Sequence, residues 1–173
     1  MIFNTPGLGS KGKDEESKIL KKMIDDLKKY NEVHVFAIVI NGESPRFDQN
    51  RKQMVKKFQD MFGEKFLEKN TIIVVTHWSY DERSVNTRKR TKKDENTFCH
   101  EINKILREEF GMNPSITVPT AFIDVKYGGG AQEKPKFDEG MAEIENCLNT
   151  FPAYPCKNFK HPETNTPSCE PQK

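Results

Sequence analysis

Four cysteines in 173 residues, none of them in a Cys-x-x-Cys pair, argue against both a disulfide framework and a zinc site. Cys99, Cys147, Cys156 and Cys169 therefore read as free thiols, buried or facing solvent. No Asn-x-Ser/Thr sequon occurs, no apolar run reaches membrane-spanning length, and the N-terminus lacks a signal-peptide pattern. The chain thus reads as soluble, intracellular and cytoplasmic. An excess of one charge is missing as well: 28 basic against 26 acidic residues leave a formal +2. That balance excludes an overall electrostatic preference for nucleic acid or acidic membranes. There is no internal repeat, and the length suits a single core.

What is present is an alternation of β-branched apolar runs with segments of helical period, the pattern of an α/β layer fold with a parallel sheet. Ile19, Leu20, Met23, Ile24 and Leu27 line one face of a helix over 15–30. The run 33–40, apolar except for His34, predicts a strand covered on both faces. Asp48 suits an N-cap, and Met54, Val55, Phe58, Met61 and Phe62 form the stripe of a second helix stopped by Gly63. Residues 71–75 predict a buried strand that delivers Thr76-His77-Trp78-Ser79 to the C-terminal edge of the sheet. A polar stretch from Tyr80 to Lys93 follows, then a helix with Phe98, Ile102, Ile105, Leu106 and Phe110 inward and Gly111 as its stop. Ile116 to Val125 reads as a strand interrupted by Pro119. Phe137, Met141, Ile144, Leu148 and Phe151 mark a last helix. Residues 1–151 form the domain; 152–173, rich in proline, read as a largely unstructured tail.

Asn4-Thr5-Pro6-Gly7, directly behind the apolar stub Met1-Ile2-Phe3, reads as a strand ending in the phosphate-sensing turn of a GTP-binding domain. Glycine there lets a backbone N–H approach the terminal phosphate. The nearby Gly7-Leu8-Gly9-Ser10-Lys11-Gly12-Lys13 matches the glycine and lysine spacing of a P-loop, but the next position is Asp14. A P-loop needs a Ser or Thr hydroxyl at that point for Mg²⁺, and a carboxylate would face phosphate oxygens of like charge.

Thr5-Pro6-Gly7-Leu8, the run 33–40, and Arg46-Phe47 followed by a helix ending Asp60-Met61-Phe62-Gly63-Glu64 together resemble the AIG1-type G domain over about residues 1–110. That family includes the immunity-associated GTPases. The resemblance implies a three-layer, P-loop NTPase-like (Ras-like) fold with a mostly parallel sheet, here without the P-loop strand and first switch. It implies GTP or GDP as ligand, Mg²⁺ as cofactor and a homo-oligomer formed through the G domain, with no nucleic-acid partner. Attachment to the periphery of an intracellular membrane stays open. Asn4 falls where the magnesium-sensing carboxylate stands, so it would hold Mg²⁺ through water and only weakly, being uncharged. Thr5 and Gly7 fall in the γ-phosphate turn, and Thr76-His77-Trp78-Ser79 where the guanine-reading Thr/Asn-Lys-x-Asp motif stands.

Ser79 departs from that motif, because guanine is selected by a carboxylate that accepts from N1–H and the exocyclic amine. Asp81, two residues on, takes that role only if the loop bulges. Each candidate also has a structural reading: Trp78 as a rim or core aromatic, His77 as a strand-end polar residue, Arg88 to Lys93 as a solvated loop rather than a lipid contact or nuclear signal. Phe122-Ile123-Asp124 matches the last base-contacting loop by position only. Without a P-loop strand, the run 33–40 would present an unpaired apolar edge. GTP hydrolysis is expected only if a P-loop is supplied, and the alternative is a non-enzymatic pseudo-GTPase interaction module.

Overall fold

In a computed structural model, residues 13–43, 47–124 and 133–162 are described. Asn4, Thr5 and Gly7 lie outside them, as do the proposed phosphate turn and its water-held Mg²⁺. Within the described residues the order is α1 (Lys13–Leu27), β1 (Glu32–Val33), β2 (Phe36–Asn41), α2 (Gln49–Phe62), α3 (Phe66–Lys69), β3 (Thr71–Thr76), α4 (Glu82–Thr91), α5 (Glu95–Phe110), β4 (Thr120–Ile123), α6 (Glu133–Thr150) and β5 (Tyr154–Pro155). A 3₁₀ turn, Cys156–Asn158, ends it.

The α/β class holds. β2, β3 and β4 form a parallel three-stranded sheet in that order, with Val39 opposite Val74 and Val74 opposite Ala121. Helix boundaries follow local chemistry. The Asp48 carboxylate accepts from the Arg51 N–H at 3.0 Å to start α2, and Gly63, at φ 98°, stops it in a conformation that suits glycine. Asp94 accepts from Thr97 N–H at 2.8 Å to start α5, which Gly111 ends in the left-handed region.

The larger core joins one face of the sheet to α1, α2 and α5 through Leu20, Ile24, Val55, Phe62, Ile102 and Leu106, among others. The smaller one joins Ile72, Val74, Ala121 and Ile123 of the other face to α6. Four expectations are corrected here. The run 33–40 breaks into β1 and β2, and β2 is not covered on both faces: Val39 is 59% exposed and Ala37 is exposed beside it. α6 lies on β3 and β4 and leaves those two positions open. The strand expected at 116–125 is shorter, because Pro119 has no N–H to give a ladder; segment 116–118 is held instead by Asn103, which accepts from Val118 N–H at 2.8 Å.

On α6 the inward stripe is Phe137, Gly140, Ile144, Cys147 and Phe151, while Met141 and Leu148 turn outward. Gly140 sits where the helix rides closest on β4: a Cβ there would lie 2.3 Å from the Phe122 carbonyl oxygen. Finally, residues 152–162 are not a loose tail. β5 pairs antiparallel with β1, Tyr154 donates to the Phe62 carbonyl at 2.8 Å, and Phe159 is buried with its ring 4.9 Å from that of Phe62. Proline at a short sheet edge costs little, and the aromatic rings supply the burial that proline content hid. Residues 163–173 lie outside the described part.

Candidate functional site

A parallel sheet sends the C-terminal ends of all its strands to one edge, and in open α/β sheets ligands bind there. Here that edge carries Asn41-Gly42 from β2, Thr76 to Ser79 from β3, and Asp124 from β4. Gly42 donates to the Thr76 carbonyl at 2.6 Å, and a Cβ on it would sit 2.9 Å from that oxygen and 3.1 Å from the Trp78 ring. The turn after β2 is thereby pressed against the turn after β3. Only glycine permits that approach without a shift of backbone.

Thr76 and His77 stand at the rim. His77 Nδ1 lies 3.1 Å from Thr76 Oγ1, and the residue holds φ 57°, a left-handed conformation uncommon outside glycine. Such strain persists where the surroundings over-determine it. The surroundings here are the next residue's anchorage, because Trp78 is only 3% exposed. Its ring packs 4.9 Å from Phe122 and 5.8 Å from Phe98, and the Arg88 guanidinium sits 4.6 Å from its centroid. The indole is therefore a core aromatic, as the structural reading of Trp78 had it. Its Nε1 has no hydrogen-bond partner among the described residues.

Asp81 is placed otherwise than expected. One carboxylate oxygen accepts from Ser84 N–H at 2.9 Å and the other from the Ser79 hydroxyl at 2.5 Å, so Asp81 is the N-cap of α4. The Ser79 hydroxyl, then the Ser84 bonds, hold its carboxyl well below the usual carboxylate range. Using it to read guanine would mean undoing a helix cap.

Within the polar stretch Tyr80 to Lys93, Glu82–Thr91 form a helix, α4, so the run Arg88 to Lys93, expected as a solvated loop, begins inside a helix. Arg88 fastens it: the guanidinium donates to the Ser79 carbonyl at 2.5 Å and also lies 5.8 Å from the Tyr80 ring. Tyr80 in turn donates to Glu95 at 2.6 Å; burial first, then that bond, pushes its hydroxyl pKa up. Arg88 is the residue that sequence reasoning missed. The signal was there in an Asp cap at 81, Glu82 in the first turn and cations in the last, which is the charge order a helix dipole favours. Buried Asp124 is close enough for its charge to act on Arg88.

Beside this loop opens a cleft of about 450 Å³ lined by Trp78, Tyr80, Arg88, Glu95, Lys136 and Glu139, with both signs of charge on its walls. Among the described residues, no group of three or more His, Cys, Asp or Glu is placed to hold a metal ion. No helix among them is long and apolar enough to cross a membrane. Compared with known proteins, the chain matches no family model and no curated protein.

Proposed function

We propose that this chain is a guanine-nucleotide-binding module of the AIG1 type, with Thr76, His77 and the backbone around Ser79 and Asp124 forming the base end of the site. One observation carries the reading. A parallel sheet places Thr76-His77-Trp78-Ser79 at the C-terminal end of its middle strand, with the third residue turned into the core and the second held at the rim. In a Thr/Asn-Lys-x-Asp loop the third position is free to serve packing, and the His77 ring would cover the base.

In this reading β2, β3 and β4 are the last three strands of a Ras-like sheet. Among the described residues β2 has no partner on its other edge, where a P-loop strand would pair, and Ala37 and Val39 lie where its following helix would rest. The described residues supply no Mg²⁺ ligand set, so no hydrolytic step is derived from them. With Asp81 engaged as a cap and Ser79 donating to it, preference for guanine over adenine is shallow.

The test is an NMR titration of the chain with GTP and with ATP in the presence of Mg²⁺. Binding near millimolar, about −4 kcal/mol, is expected, because a P-loop supplies most contacts to the phosphates. Shifts should centre on Thr76 to Asp81 and Asp124 and vanish in His77→Ala. No shift there at about 10 mM nucleotide, some tenfold above that expected dissociation constant, overturns the reading. The pseudo-GTPase interaction module is favoured by the double engagement of the Asp81 carboxylate, and that same null titration would leave it standing.

A further inference from the structure

Residues 83–93 contain six basic side chains and no acidic one. With Glu82, Asp94 and Glu95 counted, the segment 82–95 carries a net +3, which leaves the rest of the chain at −1. The near neutrality of the whole therefore hides a local concentration. α4 gives this segment a defined shape. Ser84, Val85 and Arg88 are its partly buried side, so three helical positions and the Arg88 clamp fix how the helix lies. The opposite side exposes Arg83, Asn86, Thr87 and Arg90, and Lys89, Lys92 and Lys93 crowd the C-terminal end, all of them exposed.

The density of its cations separates this face from an ordinary solvated helix. Some lysines elsewhere meet acids one turn away, as Lys134 does Asp138 and Lys136 does Glu139, while Lys18, Lys21 and Lys56 have no ion pair among the described residues. Among the described residues, none of Arg83, Lys89, Arg90, Lys92 and Lys93 has such an ion pair. A helix dipole does ask for a cation at its C-terminus, but it presents only about half a negative charge there. The last turn alone holds Arg88, Lys89 and Arg90. The helix also has no fully buried residue, so core packing does not explain its composition.

We infer that the outer face of α4 is an electrostatic docking surface for membranes rich in anionic lipid headgroups. A flat anionic surface can meet Arg83 and Arg90 of the outer side together with the lysines crowding the C-terminal end, and it needs no cleft. A nucleic-acid strand, by contrast, would need a continuous basic track or an aromatic platform. The ground next to α4 is acidic at Asp94, Glu95 and Glu139, Trp78 is buried, and the Tyr80 hydroxyl is tied to Glu95. The exposed face carries no large apolar side chain, so attachment is peripheral and salt-sensitive, without insertion.

The experiment is sedimentation of the full chain with phosphatidylcholine vesicles with and without about 30% phosphatidylserine, at low salt and at about 0.5 M salt. Binding only to the anionic vesicles, reversed by salt, is expected. Replacing Arg83, Lys89, Arg90, Lys92 and Lys93 by Gln should weaken it at least about tenfold. A control with Lys18, Lys21, Lys22, Lys56 and Lys65 replaced by Gln, equal in net charge, should bind within about threefold of the original. If the first variant misfolds by circular dichroism, Arg90→Glu with Lys93→Glu replaces it. Equal losses in the two sets, no binding to anionic vesicles, or tighter binding to duplex DNA or RNA at the same salt would each overturn the inference.

Discussion

On one face of the sheet, Ile38, Ile40, Ile73, Val75 and Phe122 are roofed by α1, α2 and α5. On the other, Ile72, Val74, Ala121 and Ile123 meet α6, while Ala37 and Val39 of β2 stay exposed. β3 is buried on both sides and reads as an unbroken apolar run; β2 carries an equally apolar run but alternates between buried and exposed. The same sequence signal thus has two outcomes, and the difference is whether a helix arrives on the far face. That face and the adjoining β2 edge are where further structure can be added, by another segment or another copy.

The comparison is broken most sharply at Phe66, on the roofed face, which is 1% exposed and lies edge-on to Phe36 and Phe62. Phe66→Ala should lower stability by about 3–5 kcal/mol, read from the urea midpoint. A loss below about 1 kcal/mol would mean that this face does not carry the fold.

Gly140→Ala probes the thinner face. In an exposed helix this change would stabilise by about 0.5–1 kcal/mol. Here the new methyl meets the Phe122 carbonyl, and backbone cannot swing aside as a side chain can. A net destabilisation of about 1–3 kcal/mol is expected, with loss of near-ultraviolet dichroism as α6 lifts. A gain in stability would show that α6 does not sit this close.

Asp81→Ala tests the edge where the two faces meet the loop, and removing the cap should cost about 1 kcal/mol. The sign with pH follows from the lowered Asp81 pKa. Its contribution is present above the ordinary carboxylate pKa and fades as pH falls through the folded-state value. The gap between wild type and variant in urea unfolding should therefore narrow on acidification below about pH 4. A gap independent of pH would remove the charge from the explanation.

Val39→Lys should move stability least, within about 0.5 kcal/mol. Yet it places a charge on an open strand edge, and light scattering at rising concentration should show less self-association. Unchanged scattering would place any association elsewhere.

The site was legible in part. Thr76 to Ser79 as a strand-end loop followed from an apolar run meeting polar residues. The helix start at Asp48 and the stops at Gly63 and Gly111 followed from capping chemistry, which acts over three or four residues and so is written locally. The three parallel strands and the stripes of α1, α2 and α5 were within reach for the same reason, since period and caps are properties of short windows; the stripe of α6 was not.

Tertiary structure alone decided the rest. Whether Trp78 faced solvent or core depended on Phe98, Phe122 and Arg88, residues brought to it by two helices and another strand. Asp81 looked available until the position of Ser84 and Ser79 committed both its oxygens. Residues 152–162 looked like a tail until Phe36 and Phe62 offered Tyr154 and Phe159 a place to bury their rings. Burial is a property of what arrives from elsewhere in the chain, and no short window contains it.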